Sequence, residues 1–285
     1  MSMGSESGDR RELPSKLQVR YGEEGGDSPL LIFHPLAACL LAGVAAGLLA
    51  FAFGEMTWDV FRPADVARQF QGVTSNLPTA ESRDVAMIKN AALADAGLGA
   101  LLGLFLGLAG GMVRGDVRRG GVGGAVGLLV GGLVGGLLPL AAMPPIYRLH
   151  ERNGIDPLLV GTAAQALVAG LIAATAGAAF GVALGGVKTA PRFALSAFGG
   201  GVLGAVLYAM AGAAFFPLAE TDRALASERG ARFLAHLLVA TGGAAMVGLG
   251  LTGRRRRSRR WPWEPPREFD DADPAGAPDA TPGAS

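Results

Sequence analysis

The sequence is poor in reactive and charged side chains. Among 285 residues it has one cysteine, Cys39, three histidines and only 17% charged residues. A single cysteine excludes an intramolecular disulfide and a thiolate metal cluster. The apolar segments contain no nucleophile paired with a base and no set of metal ligands. The sequence therefore predicts neither an enzyme nor a bound metal or cofactor.

The few charges are concentrated in the two tails and in short connections between long uncharged runs. Half of the residues are apolar, and the mean hydropathy is +0.37. Each run approaches the roughly 20 residues needed to span a bilayer. This pattern predicts an all-α, polytopic transmembrane helical bundle of six spans, with the lipid bilayer as its main partner. The spans are centred on residues 35–53, 91–113, 121–143, 157–186, 193–217 and 233–253.

The polar ends of the chain do not share this pattern. Residues 1–28 have too few apolar side chains to order themselves, and we predict a disordered cytoplasmic tail. The membrane domain is expected over 29–253. Residues 254–285 begin with a basic cluster and continue as a Pro- and acid-rich tail, also predicted to be disordered and cytoplasmic. The basic cluster consists of Arg254, Arg255, Arg256, Arg257, Arg259 and Arg260. Directly after a span, it indicates a topology and lipid-headgroup role, with no nucleic acid as partner.

The short connections predict the orientation of the bundle. Lysine and arginine dominate the connections after spans two, four and six, and charges of both signs occupy the others. Cytoplasmic loops carry the excess of basic residues. Both termini are therefore expected in the cytoplasm, and the Ala-, Gly- and Arg-rich composition favours a bacterial cytoplasmic membrane.

The connection between spans one and two, residues 54–90, is longer than the others. It contains the apolar residues Trp58, Val60 and Phe61, followed by Val66 and Phe70, which predict one or two short helices on the membrane surface. Thr79 can cap a helix that begins near Ala80 and continues into span two.

Glycine is unusually abundant, with 45 of the 285 residues. In spans two and three it recurs at every fourth position. Residues four apart lie on nearly one helix face, and a row of glycines allows another helix to approach closely. We therefore predict a tightly packed helix pair. Its helix-packing residues are Gly99, Gly103, Gly107 and Gly111 in one row and Gly123, Gly127, Gly131 and Gly135 in the other.

Weak internal similarity suggests three helical-hairpin repeats. Residues 135–141 resemble residues 213–219 around Pro139 and Pro217, and 175–179 resemble 241–245. Gly/Ala-rich hairpins also look alike without common ancestry, so both interpretations stay open.

Each returning helix has one strongly polar residue before its row of small residues. These residues are Asp95, Gln165 and His236. Asp95 precedes the glycine row of span two. The other two rows are Ala169, Ala173, Gly177, Gly181 and Gly185 in span four, and Ala240, Ala244, Gly248 and Thr252 in span six. Polar groups inside a membrane are costly and mark candidate functional sites. If the hairpins surround an axis, the three side chains could form one intramembrane polar site. The alternative is that they serve hydrogen bonding between helices or lie in the polar interface.

Two functions remain open at this stage. The first is a small ion or solute permease or channel, with the three polar residues near its pathway. The second is a non-catalytic membrane scaffold or assembly protein, able to form homo-oligomers through its glycine rows. Six spans with Ala235-His236 in the last are similar to the layout of rhomboid intramembrane proteases. The fourth span has no serine, so that family's nucleophile is missing.

Overall fold

The computed structural model describes residues 34–70, 73–153, 157–221 and 223–257. Within them lie six helices, each long and apolar enough to cross a membrane. The predicted fold class, an all-α bundle typical of a multi-pass membrane protein, is thereby confirmed. The elements are α1 (Pro35–Met56), β1 (Asp65–Phe70), β2 (Val73–Pro78), α2 (Ala80–Arg114), α3 (Val117–Asn153), α4 (Pro157–Gly185), α5 (Ala190–Phe215) and α6 (Arg229–Arg257). The predicted disordered tail 1–28 and most of 254–285 lie outside the described residues.

The connection between α1 and α2 differs from the prediction, because it forms an antiparallel β-hairpin where short amphipathic helices were expected. Val66 pairs with Leu77, and Phe70 pairs with Val73. Residues four apart share a face in a strand as well as in a helix. The spacing of Val66 and Phe70 could therefore not distinguish the two structures.

The start of α2 agrees with the prediction. The Thr79 hydroxyl accepts a hydrogen bond from the Ser82 amide at 3.1 Å, and the helix then runs unbroken for 35 residues. At 1.5 Å per residue, α2 measures roughly 50 Å, whereas the hydrocarbon core is about 30 Å thick. Its charged residues between Glu81 and Lys89 lie in its first three turns. The extra length therefore projects beyond the apolar part of the bundle, at the end that carries the β-hairpin.

The helices run alternately up and down, which gives the bundle two chemically different ends. The end with the β-hairpin and the α3–α4 and α5–α6 connections is called the hairpin end. The opposite end, with the α2–α3 and α4–α5 connections and the end of α6, is called the basic end. Its charged loop residues are Arg114, Asp116, Arg118, Arg119, Lys188 and Arg192.

Five helices form a closed ring in the order α1, α2, α4, α5, α6, and α6 contacts α1 again. Helix α3 lies outside this ring, against both α2 and α4. Helix α6 also contacts α4 and α2 across the ring. The first and last helices are thus neighbours, although the chain separates them by four others.

Large apolar side chains fill the middle of the ring. The fully buried ones are Leu102, Leu106, Ile172, Phe180 and Val247. Where α2, α4 and α6 meet, a Cβ added to Gly243 would lie 3.1 Å from the Ala173 Cβ. The helices therefore contact each other directly at mid-bundle.

The two proline motifs of the predicted repeat have different structures. Pro139 lies inside α3 and is buried, whereas Pro217 follows the end of α5 at Phe215. The similarity of these two segments in sequence therefore does not extend to their conformation.

Candidate functional site

The structure brings the two glycine rows of α2 and α3 together. A Cβ added to Gly103 would overlap the backbone of Gly127, and one added to Gly99 would overlap the backbone of Gly131. Backbone thus packs on backbone, as small residues permit between membrane helices. The contacts continue from Gly107 to Gly123 and Gly124, from Gly111 to Gly120, and from Gly135 to the carbonyl group of Asp95.

The small-residue rows of α4 and α6 face different neighbours. Gly177 of α4 lies against Phe193 and Ala197 of α5. Gly43 of α1 lies against Ala240 and Ala244 of α6. Each row therefore packs against a helix of the same chain: α2 on α3, α4 on α5 and α6 on α1. Ala173 of the α4 row also contacts Gly243 of α6.

This pairing gives the three predicted polar residues separate surroundings. Asp95 lies in the α2–α3 contact, where its backbone carbonyl group faces Gly135. The Gln165 amide donates to the carbonyl oxygens of Thr221 at 2.8 Å and Arg223 at 2.6 Å. His236 lies between α6 and α1. The contacts seen for these residues do not link them into one cluster in the described part of the chain.

Gln165 holds the α5–α6 connection, and its loss should loosen that segment. We expect Gln165→Leu to destabilise the protein by about 1–3 kcal/mol, because two carbonyl groups lose their donor. Thermal unfolding in detergent measures the loss of stability, and hydrogen exchange of residues 216–221 measures the loosening of the connection. Gln165→Glu, which keeps the size but loses the donor, should act in the same direction. Wild-type stability of Gln165→Leu would contradict the assignment.

The strongest polar cluster joins the end of α1 to the start of α6. The Arg232 guanidinium donates two parallel hydrogen bonds to Glu55, from Nε to Oε1 at 2.7 Å and from Nη2 to Oε2 at 3.1 Å. Its Nη1 donates to the carbonyl oxygens of Ala226 at 3.1 Å and Ser227 at 2.8 Å. The indole ring of Trp58 lies 3.6 Å from the guanidinium carbon. Arg232 therefore connects the end of α1, the segment that contains Trp58, and the α5–α6 connection to the start of α6.

Burial makes this ion pair different from the others. The Arg232 side chain is 8% exposed and the Glu55 side chain 20%. Arg229 also approaches Glu55, at 3.4 Å, but its side chain is 75% exposed. Bidentate, charge-assisted hydrogen bonds are strong, and exclusion of water reduces their screening. Arg232 is thus the principal partner of Glu55.

His236 lies one helical turn after Arg232 and carries an unused nitrogen. Its Nδ1 lies 2.8 Å from the Arg232 carbonyl oxygen. A carbonyl oxygen only accepts, so Nδ1 carries the hydrogen, and Nε2 of the neutral ring is an acceptor. This Nε2 is buried without a hydrogen-bond partner in the described part of the chain. A Cβ added to Gly54 would lie 3.5 Å from it.

Sequence reasoning selected His236 but missed Glu55, Trp58 and Arg232. A local signal existed for Arg232, which is four residues before His236 and shares its helix face. Trp58 lies beyond the end of α1 at Met56. Nothing in one sequence indicates that Arg232 meets Glu55, 177 positions away.

Two hydrogen bonds attach the segment after α1 to α2. The Asn90 side chain accepts from the Phe61 amide at 3.0 Å and donates to the Phe61 carbonyl oxygen at 2.9 Å. The same segment borders a cleft of about 340 Å³, which is lined by charges of both signs, including Arg62, Glu81 and Lys89. Residues 57–64 are therefore held between α2 and α6.

At the basic end, two arginines bind backbone carbonyl groups of neighbouring helices. Arg114 donates to the Leu184 carbonyl oxygen at 2.7 Å, and Arg192 donates to that of Gly250 at 2.8 Å. The predicted headgroup residues Arg254, Arg255, Arg256 and Arg257 form the last turn of α6. Arg259 and Arg260 lie outside the described residues.

Comparisons with protein-family models, curated proteins and solved structures found no match. Within the described ranges, no group of three or more His, Cys, Asp or Glu side chains could hold a metal ion. The cluster around Arg232 combines its ion pair with Glu55 and an adjacent hydrogen-bond acceptor, Nε2 of His236.

Proposed function

We propose that this chain is a non-catalytic membrane scaffold. The observation that carries the proposal is the use of all three small-residue rows inside the chain, around a centre filled by Leu102, Ile172 and Phe180. Close packing of this kind gives a rigid bundle with low compressibility. The glycine rows are occupied within one chain, so assembly with other molecules uses other surfaces.

In this proposal the basic end faces the cytoplasm of a bacterium and the hairpin end faces outward. The loops of the basic end carry five cations and one carboxylate, as the positive-inside rule requires. Both termini then lie in the cytoplasm. The β-hairpin and the first turns of α2 project outside the membrane and are available to a partner.

A scaffold should assemble without conducting. We expect purified protein in proteoliposomes to add no ion or small-solute flux to that of empty liposomes. Cross-linking in native membranes should give a complex larger than the purified chain. Replacement of residues 65–78 by a flexible linker of equal length should abolish that complex.

The linker variant needs a folding control. Its unfolding temperature should match that of the parent, because an isolated two-stranded hairpin contributes little stability. Saturable flux through the wild-type protein would contradict the scaffold proposal, whatever the cross-linking shows.

The second candidate function is a small ion or solute permease. Nε2 of His236, which is buried without a partner among the described residues, favours it. A buried polar atom without a partner is costly, which is typical of functional sites. If the protein conducts, Asp95→Asn combined with His236→Ala should reduce the flux. Unchanged flux in that double variant would remove both residues from the pathway.

A further inference from the structure

The basic end carries an exposed positive surface. The two connections there contain Arg114, Arg118, Arg119, Lys188 and Arg192 with a single carboxylate, Asp116, for a net charge of +4. Arg119 pairs with Asp116 at 3.1 Å. Within the described part of the chain, Arg118 and Lys188 are exposed and form no ion pair. We name residues 114–119 and 187–192 together the basic loop surface.

Two exposed apolar side chains lie beside these charges. Val117 is 75% exposed and Val187 is 79% exposed. Cationic groups with adjacent apolar contacts suit a peptide that is acidic and carries an aromatic side chain.

The chain itself contains such a peptide. Residues 264–273, Glu-Pro-Pro-Arg-Glu-Phe-Asp-Asp-Ala-Asp, have five carboxylates and one arginine, for a net charge of −4. Phe269 lies in the middle of this acidic segment. Its charge is equal and opposite to that of the basic loop surface.

The acidic segment follows the end of α6 after only six residues in the sequence. Arg192 bonds to the carbonyl oxygen of Gly250, seven residues before α6 ends at Arg257. Seven helical residues rise about 10 Å. Residues 258–264 can span up to roughly 23 Å when extended. The segment can therefore reach the loops without rearrangement of the bundle.

We propose that the acidic segment 264–273 docks on the basic loop surface of its own chain. The alternative partner for these cations is an anionic lipid headgroup. A tethered segment has an effective concentration in the millimolar range, which favours it over a free partner. The docked segment covers the loop cations and competes with lipid for them. This inference does not depend on the scaffold proposal.

A zero-length carbodiimide cross-linker tests the contact, because it joins a lysine to a carboxylate that touches it. Lys188 is the only lysine in the basic loop surface, and the other two are Lys16 and Lys89. In nanodiscs of neutral lipid, we expect a cross-linked peptide that joins Lys188 to residues 264–273. Lys89, at the hairpin end, should give no cross-link to the segment.

The controls separate charge from reactivity. Lys188→Arg keeps the charge but should abolish the cross-link. Changing the five acids of the segment to their amides should abolish it with Lys188 intact. About 1 M salt should also remove it, since the Debye length then falls to ~3 Å. A mixture of isotope-labelled and unlabelled chains should give only products within one chain.

A spin label provides a readout that needs no cross-linking. With Cys39→Ala as background, a label on Ala272→Cys should be immobilised at low salt and released at high salt. A mobile label together with no Lys188 cross-link overturns the proposal. Mixed-isotope products assign the surface to a second copy and also overturn docking within the chain. Loss of the neutral-lipid cross-link on adding anionic lipid supports the proposed competition between the segment and headgroups.

Discussion

Replacing Gly103 with alanine should destabilise the protein, although alanine is the better helix former. The substitution normally stabilises a helix by about 1 kcal/mol. Here the added Cβ would overlap the backbone of Gly127, and backbone cannot rotate away as a side chain can. Overpacking costs roughly 1–3 kcal/mol, occasionally more. Gly103→Leu should force α2 and α3 apart and prevent the native pairing.

Two other glycines are matched controls for this prediction. A Cβ added to Gly121 or Gly199 would have nothing within 4 Å. Gly121→Ala and Gly199→Ala should therefore be neutral or slightly stabilising. The unfolding temperature and the yield of monodisperse protein in detergent measure the effects of the Gly103 substitutions and of the two controls. Equal effects of Gly103→Ala and Gly121→Ala would refute the close approach of the two helices.

Disulfide formation can test the register of the same interface. A Cβ added to Gly132 would lie 3.3 Å from the Ala100 Cβ, close to the separation in a disulfide. With Cys39→Ala as background, Ala100→Cys with Gly132→Cys should cross-link on oxidation. Ala100→Cys with Gly136→Cys, one turn away, should not. Efficient cross-linking of both pairs would mean that the helices slide past each other.

Arg232→Ala should be the most damaging substitution of a charged residue in the described part of the chain. Removal of one partner from a buried pair typically costs 3–5 kcal/mol, because the remaining charge is uncompensated. Here the carbonyl groups of Ala226 and Ser227 lose their donor as well. Arg229 stays near Glu55, which should hold the loss towards the lower part of this range. Equilibrium unfolding in mixed micelles measures the change.

Arg229→Ala is the matched control, on the same helix and with the same acidic partner. Because Arg229 is mostly exposed, its loss should cost no more than about 1 kcal/mol. A double-mutant cycle of Glu55→Gln and Arg232→Met should show strong coupling. Additive effects in that cycle, or equal effects of the two arginine substitutions, would show that the pair does not join α1 to α6.

Features that depend on local spacing were predictable from the sequence. The number of spans follows from the length of the apolar runs, and the Thr79 cap from a residue type at a helix start. The small-residue rows follow from a period of four. Each of these is set within one helix, where the geometry of 3.6 residues per turn is constant.

The same local information was insufficient for residues 54–90. Strands and helices both place residues four apart on one face, and a two-stranded hairpin has no long pattern to reveal it. The three polar residues, Asp95, Gln165 and His236, raised a similar difficulty. Their position at the head of three rows was visible, but the helices that pack against the α4 and α6 rows were not.

By itself, the sequence determined a membrane-spanning helical chain with rows of small residues able to pack closely, and it predicted the pairing of the two glycine rows of α2 and α3. Tertiary structure alone decided that α4 packs on α5 and α6 on α1, and that Glu55 meets Arg232. The physical reason is that a glycine row permits close approach by any complementary helix. The choice among such helices depends on the shapes of all the surfaces at once, including residues 177 positions apart.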